Sequence, residues 1–372
     1  MDEQEAPRLR MRNPGEVTQL IPYLVGFIPE ESLVVLVTRN SRVEVTARVD
    51  LAHIQQPGAA EALLDRIWAR FPDANAYLLA YTADHQAGWD MLQRCDAHLP
   101  SMVLRRSMMV DTDTWELPDG QTGTVDRFGM AAAEATHYGL QHLDSRANLE
   151  ASFASAPESD HLITKVAAVL DTLPRPRETK AIIDLTQNLL RRNLPTPESK
   201  PAPATSSTHR IPEEEAIKLA ILTQNPSGQS VALLSMTRDN APEHLKLWRN
   251  VVNQVPEYGA EGPLYLAGMA AWIGGDGASA AIALERSLAV SDQPELSDQT
   301  SLLSQLIDQV IPPSAWESIR PQVLAQADPR VRAAVTTSAA SQPDVWETVT
   351  PPPLTHRPER RDTSPPNPGI AI

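Results

Sequence analysis

Apolar and polar residues near the start of the chain alternate with a helical period. Asn13 is suited to cap a first turn, Pro14 follows at the first helical position, and Glu16 completes a capping box. Pro22 removes one backbone donor inside the helix, and Gly26 can adopt the left-handed conformation that ends helices. The pattern therefore predicts a short helix, kinked near its end, that stops at Gly26.

The next apolar residues have the pattern of strands. Residues 33–37 are five apolar residues in a row, which is typical of a central strand covered on both faces. Residues 43–51 alternate between apolar and polar side chains, as a half-buried strand does. Asn40 and Ser41 lie between the two runs and are suited to a tight turn. We expect a β-hairpin here.

The chain then alternates between helical and strand patterns up to about residue 128. A helical pattern at residues 59–71 and an apolar run at residues 76–81 predict a right-handed, parallel crossover. Further predicted elements are a helix at 86–99, a strand at 102–110, and a hairpin of 110–117 with 122–128 around an Asp-Gly turn.

Helical periodicity dominates after residue 160. The patterns together predict an α+β protein, in which an N-terminal domain with a mixed α/β sheet precedes an α-helical hairpin bundle and a disordered tail. The predicted divisions are 13–160 for the sheet domain, 161–193 for connecting helices, 194–212 for a Pro/Ser/Thr linker, 213–328 for the helical bundle and 329–372 for a Pro-rich tail.

One predicted helix pair resembles a single tetratricopeptide unit. It flanks the turn at residues 274–276, where Asp276 is expected to cap the second helix. Gly268 and Ala280 are small enough for close helix crossing, and Leu284 and Ser287 follow at the expected spacing. No repeat at the usual period is present elsewhere in the sequence.

Three separated motifs resemble an uncharacterised actinobacterial family, domain of unknown function 4192. The first motif is residues 22–27 with Pro29 and residues 32–35, the second is residues 111–115 with Ser145 and Arg146 downstream, and the third is residues 271–278 with 283–288. The resemblance covers roughly residues 13–319 and implies no activity. Its signature residues with an expected structural role are Pro22, Gly26, Phe27, Pro29, Ser32, Gly275 and Asp276.

The composition of the chain disfavours some classes of partner and favours one cellular location. The chain has 372 residues, with 32 Lys and Arg against 47 Asp and Glu, so its net charge of −15 disfavours broad binding to nucleic acid or anionic membranes. Cys95 is the single cysteine, and its apolar neighbours at helical spacing predict a buried thiol. The absence of a disulfide framework or a targeting segment favours a soluble protein of the cytoplasm.

Four residues are candidates for a metal or ligand site. Asp111 and Asp113 would lie on one side of an extended segment and could hold a divalent cation, or they could be solvated acids beside Trp115. Asp50 ends the second strand and would join the site only if it lies at the edge formed by the carboxyl ends of parallel strands. Otherwise it caps a turn.

The neighbouring arginines Arg105 and Arg106 are a second feature with two interpretations. Paired positive charges on a strand of an acidic protein could bind an anion or neutralise nearby carboxylates. No P-loop, His-Glu-x-x-His pattern or Gly-x-Ser-x-Gly motif is present, so no cofactor or reaction is indicated.

Two functional hypotheses remain. The favoured hypothesis is a cytoplasmic, non-enzymatic regulatory or protein-interaction protein, whose helical half and tail bind another protein. The alternative is a metal- or phosphate-dependent enzyme, or a nucleotide sensor, with its site at the sheet edge near Asp50, Asp111, Asp113 and Trp115. The alternative requires the three acids to converge on one cleft.

Overall fold

The structure is a computed structural model and describes residues 11–40, 42–101, 103, 105–195, 210–291 and 298–340. It confirms the α+β class, because a mixed sheet occupies the first part of the chain and helices follow it. The strands are β1 Ser32–Arg39, β2 Arg42–Asp50, β3 Asn75–Tyr81, β4 Arg105–Val110, β5 Thr114–Glu116 and β6 Thr122–Thr124.

The helices alternate with the strands at first and then continue alone. Those of the first half are α1 Pro14–Val25, α2 Leu51–Ile54, α3 Ala59–Arg70, α4 His85–His98, α5 Met130–His137, α6 Arg146–Ala151, α7 Asp160–Leu170 and α8 Thr179–Asn193. Those of the second half are α9 Glu213–Thr223, α10 Pro226–Leu234, α11 Ala241–Val252, α12 Glu261–Gly274, α13 Gly277–Val290, α14 Asp298–Asp308, α15 Trp316–Gln326 and α16 Pro329–Ala340.

The strands of the sheet lie in the order β2-β1-β3-β4-β5-β6. The strand β1 pairs with β2 and β3 in antiparallel fashion, whereas β3 and β4 are parallel neighbours. The strands β2, β3 and β4 therefore run in one direction. The predicted crossover from β2 through α3 leads to a parallel strand, but β1 lies between the two. The carboxyl ends of β2, β3 and β4 share one edge of the sheet.

The N-cap of α1 forms at Asn13 as predicted, but the hydrogen bond of Glu16 differs from that of a capping box. The Asn13 side chain accepts a hydrogen bond from the Glu16 N–H at 2.9 Å, as an N-cap does. The Glu16 carboxylate, however, accepts from the Arg12 N–H at 2.6 Å, so the reciprocal bond lies one residue earlier than in a capping box. Gly26 ends the helix at φ 85°, and its N–H donates to the Pro22 carbonyl at 2.8 Å.

Two apolar layers enclose the sheet. On one face, Val35, Leu78 and Met109 pack with residues of α3 and α4, including Cys95, whose thiol is fully buried as predicted. The opposite face, which we call the α1 face, carries the side chains of alternate strand residues that pack against α1 and the later helices. They include Val34, Leu36, Leu79, Tyr81, Met108 and Val110.

The apolar core of the α1 face continues into the helical half without interruption. Leu149 and Phe153 link the sheet to α9–α13, and all belong to one buried cluster. At its centre residues 262–273 of α12 are all buried, and Leu303 and Ala283 approach the helix backbone closely at Gly268. The sheet domain and the helical bundle therefore share a core.

Several predicted boundaries differ from the observed ones. The predicted tail from residue 329 is wrong over its first part, because α16 is helical and buries Val331 and Val335. The rest of the predicted tail, 341–372, and most of the predicted linker, 196–209, lie outside the described residues. In the part of the chain that the structure describes, no helix is both long and apolar enough to cross a membrane.

Candidate functional site

A cleft of about 210 Å³ opens where β3 and β4 end, on the α1 face. It is bounded by the second half of α1 and by residues 28–31, 81–83, 110–112, Val125 and Arg127, and His142 also lines it. We call it the edge cleft. Open sheets bind ligands outside the carboxyl ends of neighbouring parallel strands, and the edge cleft occupies that position.

Tyr81 is the most unusual residue of the edge cleft. It is the last residue of β3, is 8 % exposed, and its hydroxyl has no hydrogen-bond partner in the described part of the chain. Burial raises the pKa of Tyr81 far above its usual value, so the hydroxyl stays protonated and can donate. A buried donor without an acceptor costs about 1–3 kcal/mol.

Asp111 begins the turn that joins β4 to β5. Its N–H donates to the Thr114 carbonyl at 2.8 Å, and one carboxylate oxygen accepts from the Thr112 N–H at 2.6 Å. The carboxylate is half-buried and lines the edge cleft, and no described cation forms an ion pair with it. One oxygen of Asp111 is thus available to a ligand.

The loop before β1 supplies a second carboxylate, that of Glu31. The strand β1 lies on the side of β3 away from β4. Glu31 stands at φ 40° in the loop before β1, and both of its carboxylate oxygens lie 2.9 Å from the Thr82 hydroxyl, which donates to them. The same hydroxyl oxygen accepts from the Asp84 N–H at 3.1 Å, which fixes the start of α4. These bonds hold the Glu31 carboxylate in the wall of the cleft.

A layer of polar side chains on α1 forms the other wall. The Gln19 side-chain oxygen accepts from the Ala131 N–H at 3.1 Å, and the Tyr23 hydroxyl lies 3.1 Å from the Thr136 hydroxyl. The rings of Tyr23 and His142 meet edge to face with centroids 4.6 Å apart. Contacts between α1 and α5 thereby fix this wall.

The charge of the edge cleft is negative. Glu30, Glu31 and Asp111 line it, and Arg127 is the one arginine among its described lining residues. The guanidinium of Arg127 donates to the Thr112 carbonyl at 3.2 Å. A cleft with this lining concentrates cations and disfavours anions. Among the described residues no group of three or more His, Cys, Asp or Glu side chains could hold a metal ion.

The four residues predicted as a site do not come together. Asp113 is exposed and lies outside the edge cleft; the prediction of an extended Asp111-x-Asp113 pair is wrong because the chain turns there. Asp50 ends β2 at the same sheet edge, but three strand spacings, about 14 Å, separate β2 from β4. Its carboxylate forms an ion pair with Arg48 at 2.7 Å. Trp115 is buried in the core of the α1 face.

The signature residues predicted from the motifs lie in two places. Pro22 and Pro29 line the edge cleft, and Ser32 starts β1 beside it. Gly275, at φ 87°, and Asp276, which accepts from the Ser279 N–H at 3.0 Å, form the α12–α13 turn. A side-chain carbon added to Gly26 would lie 3.9 Å from an Asp276 oxygen.

Parts of all three motifs meet at a junction between the sheet and the helices. Arg48 of β2 stacks over the Phe27 ring at 5.5 Å and donates to the Ser32 hydroxyl at 2.8 Å. Next to it, Arg146 of α6 forms an ion pair with Glu285 of α13 at 2.6 Å. Burial lowers the pKa of Arg48, and Asp50 counters this effect. Residues of all three motifs thus take part in packing between the sheet and the helices.

A family model described as a domain of unknown function (DUF4192) matches residues 14–314 of the 372. The chain belongs to the DUF4192 family. The matched region of this DUF4192 protein begins at the first residue of α1 and includes both the edge cleft and the junction. No curated protein and no solved structure matches the chain.

The sequence of this DUF4192 protein identifies Asp111 as a candidate but does not mark Tyr81, Glu31 or Arg127. In the sequence Tyr81 is only the end of an apolar run, but the last residue of a strand with a parallel neighbour lies at the ligand-binding edge. Glu31 and Arg127 carry no local pattern that distinguishes them from solvated loop charges. Their positions depend on contacts between distant segments.

Proposed function

We propose that this DUF4192 protein is a non-enzymatic regulatory protein that binds a small polar ligand in the edge cleft. The observation that carries the proposal is the Tyr81 hydroxyl, which is buried without a hydrogen-bond partner at the carboxyl edge of β3. Asp111, half-buried and without an ion pair among the described residues, lines the same cleft. Together they offer one donor and one acceptor.

Size and charge define the class of ligand. The volume of about 210 Å³ is below the range of about 300–1,000 Å³ found for drug-sized ligands, so the ligand is small. The acidic lining favours a cationic or neutral molecule. A small amino alcohol meets both conditions, because its ammonium group can pair with Asp111 while its oxygen accepts from Tyr81.

The same lining weighs against the alternative enzyme. That hypothesis required Asp50, Asp111 and Asp113 to converge, and only Asp111 lines the edge cleft. Phosphate groups would also meet Glu30 and Glu31 there, which disfavours a phosphate-dependent reaction or a nucleotide sensor.

The test is thermal unfolding of the full chain with ethanolamine, glycerol or inorganic phosphate. A ligand that binds the folded state raises the unfolding midpoint. We expect ethanolamine to raise it and phosphate to leave it unchanged. Tyr81→Phe, which removes only the hydroxyl, should weaken ethanolamine binding about tenfold without lowering the stability of the free protein, because the lost group has no partner.

Tyr265→Phe is the matched control, since Tyr265 is also a buried tyrosine but lies on α12. It should leave the effect of ethanolamine unchanged. The proposal fails if neither ethanolamine nor glycerol shifts the midpoint, if phosphate shifts it more than both, or if Tyr81→Phe binds ethanolamine as the parent protein does.

A protein partner is a second candidate, favoured by an exposed apolar loop at the rim of the edge cleft. Phe128 is 94 % exposed and Met130 is 72 % exposed, and both follow Arg127 of the cleft wall. Large apolar side chains at such exposure are typical of interaction sites when they cluster. A partner that binds this loop could respond to occupation of the cleft.

We also propose that the protein is cytoplasmic, that it does not bind nucleic acid or membranes broadly, and that α12 and α13 form a tetratricopeptide-like pair. The net charge of −15 supports a protein without broad affinity for nucleic acid or membranes. Cys95 supports a reducing cytoplasm: it is the single cysteine, and burial raises its thiol pKa to about 11. Close packing at Gly268 supports a tetratricopeptide-like pair of α12 and α13.

A further inference from the structure

A second cavity lies on the α1 face at the opposite edge, where β3 and β4 begin. Its volume is about 340 Å³, within the range of about 300–1,000 Å³ typical of small-molecule sites. The first turn of α1 and residues 117–119 of the β5–β6 turn form its walls. We call it the amino-edge pocket. Among the described residues, none lines both this pocket and the edge cleft.

The floor of the amino-edge pocket is apolar except at one end. In the register of the two strands Leu79 is paired with Met108, and Tyr77 is paired with Arg106. All four line the pocket, and Val17 of α1 lies across it. A ligand in this pocket would therefore place an apolar body on Leu79 and Met108 and a polar end at Arg106.

The charges that line the amino-edge pocket are mostly positive. Arg105 is held by Asp96, with an ion pair at 3.2 Å, and Arg12 lies 3.7 Å from Glu16. Arg106 forms no hydrogen bond or ion pair within the described ranges. The two neighbouring arginines therefore differ in function. Arg105 neutralises a carboxylate, whereas Arg106 is available to an anion.

We propose that the amino-edge pocket binds a small monocarboxylate with an apolar body, whose carboxylate pairs with Arg106. A guanidinium can form two parallel hydrogen bonds to a carboxylate, which fixes orientation as well as contributing affinity. A doubly charged anion such as phosphate would leave a charge against the apolar floor, which is costly. The acid Asp119 at the rim further favours a single negative charge.

The experiment is isothermal titration calorimetry of the full chain with octanoate and with 1-octanol, which has the same apolar length and no charge. Arg106→Gln removes the proposed partner from an exposed strand position. We expect it to weaken octanoate binding about tenfold and to leave octanol binding unchanged. Arg70→Gln is the control, since Arg70 is an exposed arginine at the end of α3, a helix that packs on the other face of the sheet.

Each outcome bears on the proposal. Octanoate binding that Arg106→Gln weakens, and that Arg70→Gln leaves within twofold, supports it. Equal affinity of the parent protein and Arg106→Gln for octanoate overturns it, as does tighter binding of octanol than of octanoate. A Tyr81→Phe protein should bind octanoate normally. If it does not, octanoate occupies the edge cleft and the amino-edge proposal is wrong, whatever the result for ethanolamine.

Discussion

His244 on α11 should make the protein less stable as the pH falls. The side chain is 0 % exposed, and neither ring nitrogen has a hydrogen-bond partner in the described part of the chain. Burial without a partner disfavours the charged imidazolium and lowers the pKa of His244 from 6.5 to about 4. In the unfolded chain the same side chain titrates near its ordinary value.

The sign and size of the effect follow from these two values. Between pH 6.5 and about pH 4 the unfolded state binds a proton that the folded state does not, so the free energy of unfolding decreases as pH decreases. The two values differ by about 2.5, and each pKa unit corresponds to about 1.4 kcal/mol, so the loss is on the order of 3 kcal/mol. The loss is complete below about pH 4.

Urea denaturation of the parent protein and of His244→Leu measures this loss. Leucine cannot titrate and leaves no unpaired nitrogen, so the variant should gain stability relative to the parent as the pH is lowered from about 7.5 to about 4. The difference between the two proteins cancels the titration of the carboxylates, which both contain. We expect the difference to grow by about 3 kcal/mol over this range.

The control is His53→Gln, which removes an exposed histidine instead of a buried one. Its pH dependence should match that of the parent protein. The reasoning about His244 is refuted if the difference between the parent protein and His244→Leu stays constant over the range, since an uncharged buried imidazole cannot then be the cause.

Two further changes test the cap of α1 and the exposed loop. Gly26→Ala forces a side chain into φ 85° and should lower the free energy of unfolding by about 1–2 kcal/mol in urea denaturation; Gly277→Ala, in open space at the start of α13, should cost less. If both cost the same, the left-handed cap is not the cause. Phe128→Ser should leave the unfolding midpoint within error, because the ring is almost fully exposed, while reducing recovery of a protein partner in affinity capture. Undiminished recovery would count against a partner at this loop.

Local chemistry predicted the parts of the fold that depend on neighbours in sequence. The cap at Asn13, the stop at Gly26 and the cap at Asp276 each involve residues within four positions of each other, and the structure has all three. The buried run at residues 33–37 likewise identified β1 as a strand covered on both faces.

Properties that depend on distant contacts were not predictable in the same way. Alternation marks a strand but does not state its neighbours, so the insertion of β1 between β2 and β3 could not be read from residues 43–51. For the same reason Asp111 was identified as a candidate while its companions Tyr81 and Glu31 were not. They join the cleft only because β3, β4 and the loop before β1 end at one edge.

The turn at Asp111 was also not predictable from the local sequence. Residues 110–117 read as one extended segment, because a short turn between two short strands leaves no glycine or proline to mark it. Pairing of Val110 with Trp115 requires the chain to reverse there. The reversal separates Asp113 from Asp111 and removes the pair on which the metal hypothesis rested.

The core shared by the sheet and the helices has a consequence for biosynthesis. A ribosome releases the sheet before it has made α9–α16, whose apolar residues belong to the same buried cluster as the α1 face. At about 5–20 residues per second, the stretch from residue 160 to residue 340 takes roughly 10–40 s to emerge. During that interval part of the apolar layer around Leu149 and Phe153 lacks its cover, so the nascent chain depends on chaperones or on late collapse more than a chain with two separate cores would.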